Sequence, residues 1–129
     1  MTNIDGEKIG PIVIGDDFTV ERTYTKVPVG VTITKAWLTI KESDRQLDAD
    51  ALMQLPITTE LTSNGQITDA DTTDGAIAMV FKLPRAKTIL AKPAFDYGLD
   101  VQVLASDGLI HTMELTLIYF IRGRTDAIA

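Results

Sequence analysis

An all-β fold of two packed sheets is what this sequence predicts, and three observations predict it. Apolar and polar residues alternate with period two through most of the chain, as in strands with one buried and one wet face. Turn tripeptides ending in glycine separate the alternating runs: Ser63-Asn64-Gly65, Thr73-Asp74-Gly75 and Ser106-Asp107-Gly108. Only Pro84 to Ala91 reads as helical. Proline opens it and Lys92-Pro93 closes it, which leaves room for about two turns.

Taken in order, the first strand candidate is Ile12–Ile14. Next, Phe18, Val20, Arg22 and Tyr24 alternate with Thr19, Glu21, Thr23 and Thr25. Ala36, Leu38 and Ile40 alternate with Trp37, Thr39 and Lys41, which sets the first three toward the core and Trp37 and Thr39 outward. Leu52–Leu61 contains Pro56, which demotes it to an edge or bulged strand. Gln66–Thr68 and Ala76–Leu83 follow. Tyr97, Leu99, Val101 and Val103 alternate with Gly98, Asp100 and Gln102, and a hairpin at Asp107-Gly108 leads into Leu109–Arg122. In this last run Met113, Leu115, Leu117, Tyr119 and Ile121 share one side, read as the core side, and Ile118 and Phe120 fall on the other.

Seven or eight short strands with one helical turn near 84–91 predict an antiparallel β-sandwich of immunoglobulin-like type. Tyr97, just after the helical turn, stands where such a sandwich carries its tyrosine corner, the tyrosine that ties down the connection before the penultimate strand. Leu99 takes the place of the disulfide cysteine of antibody domains. Trp37 departs from that pattern, because the antibody tryptophan of the corresponding strand is buried.

The 129 residues fit one domain, 1–129, with 1–10 and 124–129 expected to be flexible ends. Net charge is −6, from 12 Lys and Arg against 18 Asp and Glu, and the cations are scattered. A nucleic-acid partner needs a cationic footprint, so neither nucleic acid nor an anionic membrane is an expected partner. The longest apolar run is six residues, Ala76 to Phe81, too short to span a bilayer as a helix. The opening MTNIDGEKIG lacks a basic and an apolar region, so no secretory signal is expected. With no cysteine, disulfides, thiol catalysis and thiolate metal sites are all excluded.

The chemistry-bearing residues are sparse. His111 is the single histidine, and Ser106, Asp107 and His111 flank a tight turn without a nucleophile elbow. No phosphate-binding glycine loop and no paired-histidine zinc motif is present. Asp69, Asp71 and Asp74 form an acidic loop with the oxygen donors Ca²⁺ needs, but the twelfth position is Val80 rather than glutamate. Asp44, Asp48 and Asp50 make a second acidic loop. The expectation is a non-enzymatic protein with no cofactor and no metal, Asp69, Asp71 and Asp74 being weak candidates for an ion. A calcium-dependent or carbohydrate-binding adhesion module is the alternative, though aromatic residues are only 6% and sugar platforms need them exposed.

Two features point to protein contacts. Trp37 is either a one-sided tryptophan lying on neighbouring strands or an anchor for another chain, tryptophan being enriched at interface hot spots. The final strand is apolar on both faces over Leu117 to Ile121, so it is covered twice within the fold or covered once by a partner. Trp37, Thr39, Ile118 and Phe120 are the candidate interface residues.

Gly15-Asp16-Asp17-Phe18-Thr19-Val20 and Lys35-Ala36-Trp37-Leu38-Thr39-Ile40-Lys41 carry a family resemblance. Thr73-Asp74-Gly75-Ala76-Ile77-Ala78, Phe81-Lys82-Leu83 and Phe95-Asp96-Tyr97-Gly98-Leu99-Asp100-Val101-Gln102-Val103 extend it. Together these stretches resemble the immunoglobulin-like N-terminal domain of tailed-phage baseplate upper proteins and related small virion structural proteins. The match runs from about Ile12 to Gly123, in strand and turn patterns rather than catalytic signatures. In those proteins the domain opens a longer polypeptide, whereas here the expectation is a chain that is all docking domain. The resemblance implies a structural role in a bacteriophage virion, as a tail or baseplate accessory or a capsid decoration protein. It also implies other virion proteins as partners and a homo-oligomer assembled in the bacterial host cytoplasm.

Overall fold

The computed structural model describes residues 8–27, 29–43, 46–73 and 75–123, together with the backbone of 3–4. Its strands are β1 (Asn3–Ile4), β2 (Ile9–Val13), β3 (Phe18–Tyr24), β4 (Ile33–Lys41), β5 (Met53–Ile57), β6 (Gly65–Asp69), β7 (Ile77–Leu83), β8 (Asp96–Ala105) and β9 (Ile110–Ile121). A helical turn, α1 (Arg85–Thr88), joins β7 to β8, and a 3-10 turn, Asp48–Asp50, lies between β4 and β5.

The strands form a sandwich. The larger sheet runs β9-β8-β4-β5, with β1 and β2 both on the free side of β9; the smaller runs β3-β7-β6. β3, β7 and β6 stand where an immunoglobulin domain has strands B, E and D. β4, β8 and β9 stand where it has C, F and G, and β5 takes the place of C′. The all-β sandwich expected from the alternation is the fold of this chain. The sheets are not wholly antiparallel, however: β1 and β2 pair with β9 in parallel. Of the start expected to be loose, 1–10, Asn3–Ile4 pair as β1 and Ile9 and Gly10 belong to β2, while residues 1–2 and 5–7 lie outside the described residues. The expected loose end, 124–129, lies outside the described residues.

Both sheets turn their aliphatic sides inward. Leu38, Ile40, Val101 and Val103 of the larger sheet meet Ile77, Met79 and Phe81 of the smaller, all 2% exposed or less. Each such side chain contributes about 1.5–3 kcal/mol on burial. Pro56 falls on β5, the edge of the larger sheet, where a missing N–H costs no ladder bond. At Gly65 φ is +125°, and a Cβ would stand 1.9 Å from the carbonyl oxygen of Val80, so only glycine fits.

The helical segment is shorter than the expected two turns, because Thr88 N–H bonds the Pro84 carbonyl and the chain leaves the helix after Ile89 N–H bonds Arg85. Pro84 offers no side-chain cap, and Asp17 supplies one from the β2–β3 turn: its Oδ1 accepts the Arg85 N–H at 2.7 Å. Tyr97 is the tyrosine corner. It is buried, its hydroxyl accepts the Lys92 N–H at 2.7 Å, and its ring meets Phe95 and Phe120 edge-on. One hydrogen bond thus fixes the connection that turns the chain from one sheet to the other.

Candidate functional site

The interface candidates all come from β4 and β9, and their orientation depends on one irregularity. Opposite Val101 and Gln102 of β8, strand β9 carries an extra residue. Gln102 faces Thr112, but Val101 faces Glu114, so Met113 is bulged out of the register. A one-residue shift sends every later side chain to the opposite face. Met113 and Glu114 are consecutive and both buried, and from there on Ile118 and Phe120 point inward, each 0% exposed. This corrects the expectation for both residues, which are core and cannot meet a partner. Leu115, Leu117 and Ile121 point outward instead, at 48%, 39% and 37% exposure, with Tyr119 half-buried between them.

Thr39 is a second correction. It does point to the outer side of the larger sheet, yet it is buried, because β4 is flanked by β5 and β8 and the Gln54 amide of β5 donates to its hydroxyl at 3.2 Å. Trp37 keeps its expected place: Ala36 and Leu38 beside it are buried inward, and Trp37 is half-buried on the outer face. The Lys35 ammonium stands 5.1 Å from the ring centroid, a cation–π contact between two residues of the same strand. Pro56 and Gln102 are its cross-strand neighbours. The outer face therefore reads, from β9 inward, as an aliphatic stripe, then Asp100 and Gln102 of β8, then Trp37.

Behind this face the bulge seats a buried charge. Glu114 Oε1 accepts the Tyr24 hydroxyl at 2.6 Å and lies 2.9 Å from Arg22 Nε, so β9 is tied across the sandwich to β3. The Arg22 approach is a charge contact without hydrogen-bond alignment. Burial, reinforced by the Glu114 carboxylate, raises the Tyr24 phenol well above its ordinary range, which keeps it a donor. Arg22, an inward-pointing charge on an edge strand, also blunts the open side of β3 against stray pairing.

The acidic loops are occupied with their own turns. Asp69 Oδ1 accepts the Asp71 N–H at 3.1 Å. Asp71 Oδ1 accepts the Thr73 N–H at 2.9 Å and hydroxyl at 2.5 Å, bonds that pull its carboxyl below the usual range. Asp74 lies outside the described residues. Among the described residues no three His, Asp or Glu side chains gather as a metal site would require. Asp48 pairs with Lys41 at 2.5 Å, and Asp44 lies outside the described residues.

Ser106, Asp107 and His111 are not brought together as a relay. Ser106 Oγ accepts the Thr32 N–H at 3.1 Å, tying the hairpin to the loop before β4, and Asp107 Oδ1 accepts the Leu109 N–H at 3.0 Å within the hairpin turn. No helix among the described residues is long and apolar enough to cross a membrane. No protein-family model, curated protein or solved structure matches this chain.

Proposed function

We propose that this chain is a non-enzymatic structural protein of a tailed-phage virion, a tail or baseplate accessory or a capsid decoration protein. It docks on neighbouring virion subunits through the outer face of its larger sheet. The virion assignment comes from the sequence resemblance. The docking role is supported by one observation: Leu115, Leu117 and Ile121 form a solvent-facing aliphatic row on the longest strand, continuous with half-buried Tyr119. An outer sheet face normally alternates to polar residues, and a contiguous apolar stripe marks a contact surface. Trp37 lies two strands away on the same face, where a large flat ring serves as an anchor.

The mechanism is surface complementarity. In a symmetric particle many copies engage at once, so each contact can be small and still hold through avidity. Net charge of −6 disfavours a nucleic-acid partner, consistent with contacts to protein alone. The test is quantitative mass spectrometry of purified particles with heads and tails separated. Copies in the hundreds per head would identify a decoration protein, and a few to some dozens per tail a tail or baseplate role. Absence from both fractions would overturn the reading.

A further inference from the structure

At the end of the sandwich where β9 finishes, the β2–β3 turn, α1 and the segment before β8 form an open pocket of about 330 Å³. Val13, Ile14, Ile89, Ala91 and Pro93 give it an apolar lining. Arg85 and Arg122 line it as well, against the single carboxylate of Asp16. Among the described residues neither guanidinium has an ion pair, a state they share with Lys26, Lys35, Lys82 and Lys87; what sets them apart is that both line one hollow. A chain of net charge −6 thus places two cations, unpaired among the described residues, around one hollow of mixed polar and apolar lining. Its volume suits one or two side chains rather than a large cofactor. Its chemistry calls for an aliphatic group with a carboxylate beside it.

The opposite end of β9 offers that pair. The β8–β9 hairpin tip presents Asp107 and, two residues on, Leu109 at 58% exposure. The tip is rigid before any contact: Gly108 N–H bonds the Ala105 carbonyl, Leu109 N–H bonds Asp107 Oδ1, and Ser106 N–H bonds the Thr32 carbonyl of the neighbouring loop. Little ordering cost therefore remains for binding. Asp71, in the loop after β6, meets the same end through the Thr32–Asp71 bridge, and Asp69 closes β6 two residues before it. The twelve residues of β9 span about 40 Å at strand rise, so a molecule cannot place its own tip in its own pocket.

We propose that copies of this chain associate head to tail, the Asp107–Leu109 tip of one seated in the Arg85–Arg122 pocket of the next. Leu109 fills the apolar lining and the Asp107 carboxylate meets the two guanidiniums. Such a contact is heterologous, so it builds rings or filaments rather than closed twofold pairs. It uses different residues from the outer-face stripe, so its failure leaves the docking role untouched.

The test is sedimentation velocity of the full chain from micromolar to about 1 mM, at low and high salt. Wild type is expected to gain mass with concentration and to lose that gain in high salt. Asp107→Arg, and Arg85→Asp combined with Arg122→Asp, are each expected to weaken association at least about tenfold. Mixing these two variants restores it, because the reversed tip meets the reversed pocket, a rescue that no misfolded variant can mimic. A monomer throughout the range would overturn the proposal. So would association that ignores both reversals, or a mixture that stays monomeric while each variant melts at the wild-type temperature.

Discussion

On its inner side β9 presents Glu114, Ile118 and Phe120, all buried; on its outer side, one residue away in each case, Leu115, Leu117 and Ile121 stay open to solvent. Both rows are apolar from residue 117 onward, each with one aromatic ring, so hydrophobicity does not distinguish them. Register does. The bulge at Met113 selects which row closes the sandwich and which remains to be covered, and it also brings Glu114 to face Arg22 and Tyr24. The inner row belongs to stability, and the outer row is the surface proposed for contact.

Substitutions separate the two. Phe120→Ala removes a fully buried ring that packs edge-on against Tyr97, and is expected to cost about 4 kcal/mol in chemical denaturation. Glu114→Ala leaves Arg22 and the Tyr24 hydroxyl without their partner, an expected loss of about 3 kcal/mol by the same measurement. A loss below about 1 kcal/mol would mean that the pair is not buried as described.

Tyr24 gives a pH signature. Its phenol is raised well above the ordinary value of 10.0, by burial first and Glu114 second. The protonated form is the one the fold favours, so this contribution is whole below pH 10 and lost as the pH climbs beyond it. An ultraviolet titration should show Tyr24 ionising only as the protein unfolds in alkali; a Tyr24→Phe variant removes that delayed step. Smaller again, Tyr97→Phe deletes the acceptor of the Lys92 N–H and should cost about 1–2 kcal/mol, read as a lower melting temperature. At the far end of the scale, Leu117→Ser should cost about 1 kcal/mol, since 39% of the residue is already open to solvent and only the rest loses apolar cover.

Much of this was legible in the sequence. Tyr97 could be placed as a corner because its position after the helical turn, and the Leu99-Val101-Val103 alternation that follows, leave one phase open to it. Trp37 could be set outward because Ala36, Leu38 and Ile40 claim the other side. The phase of β9 could not be read: Leu117 to Ile121 is apolar on both sides, and a bulge leaves no mark in composition. Hence Ile118 and Phe120 were expected on the wrong face. Thr39 was legible as outward but not as covered, because the Gln54 that covers it comes from another strand. Arg22 falls on the inner side of its alternation, yet its partner on β9 is separated from it by most of the chain. The pocket is assembled from three such distant segments, 13–16, 85–93 and 122–123, and no local pattern announces it.

The most direct test of the central claim is to count this chain per particle when Leu115→Ser and Leu117→Ser are carried together. The account predicts a folded, soluble variant with a modestly lowered melting temperature and at least about tenfold fewer copies in purified virions. Incorporation at the wild-type count would contradict it and move the contact surface away from the outer face of β9.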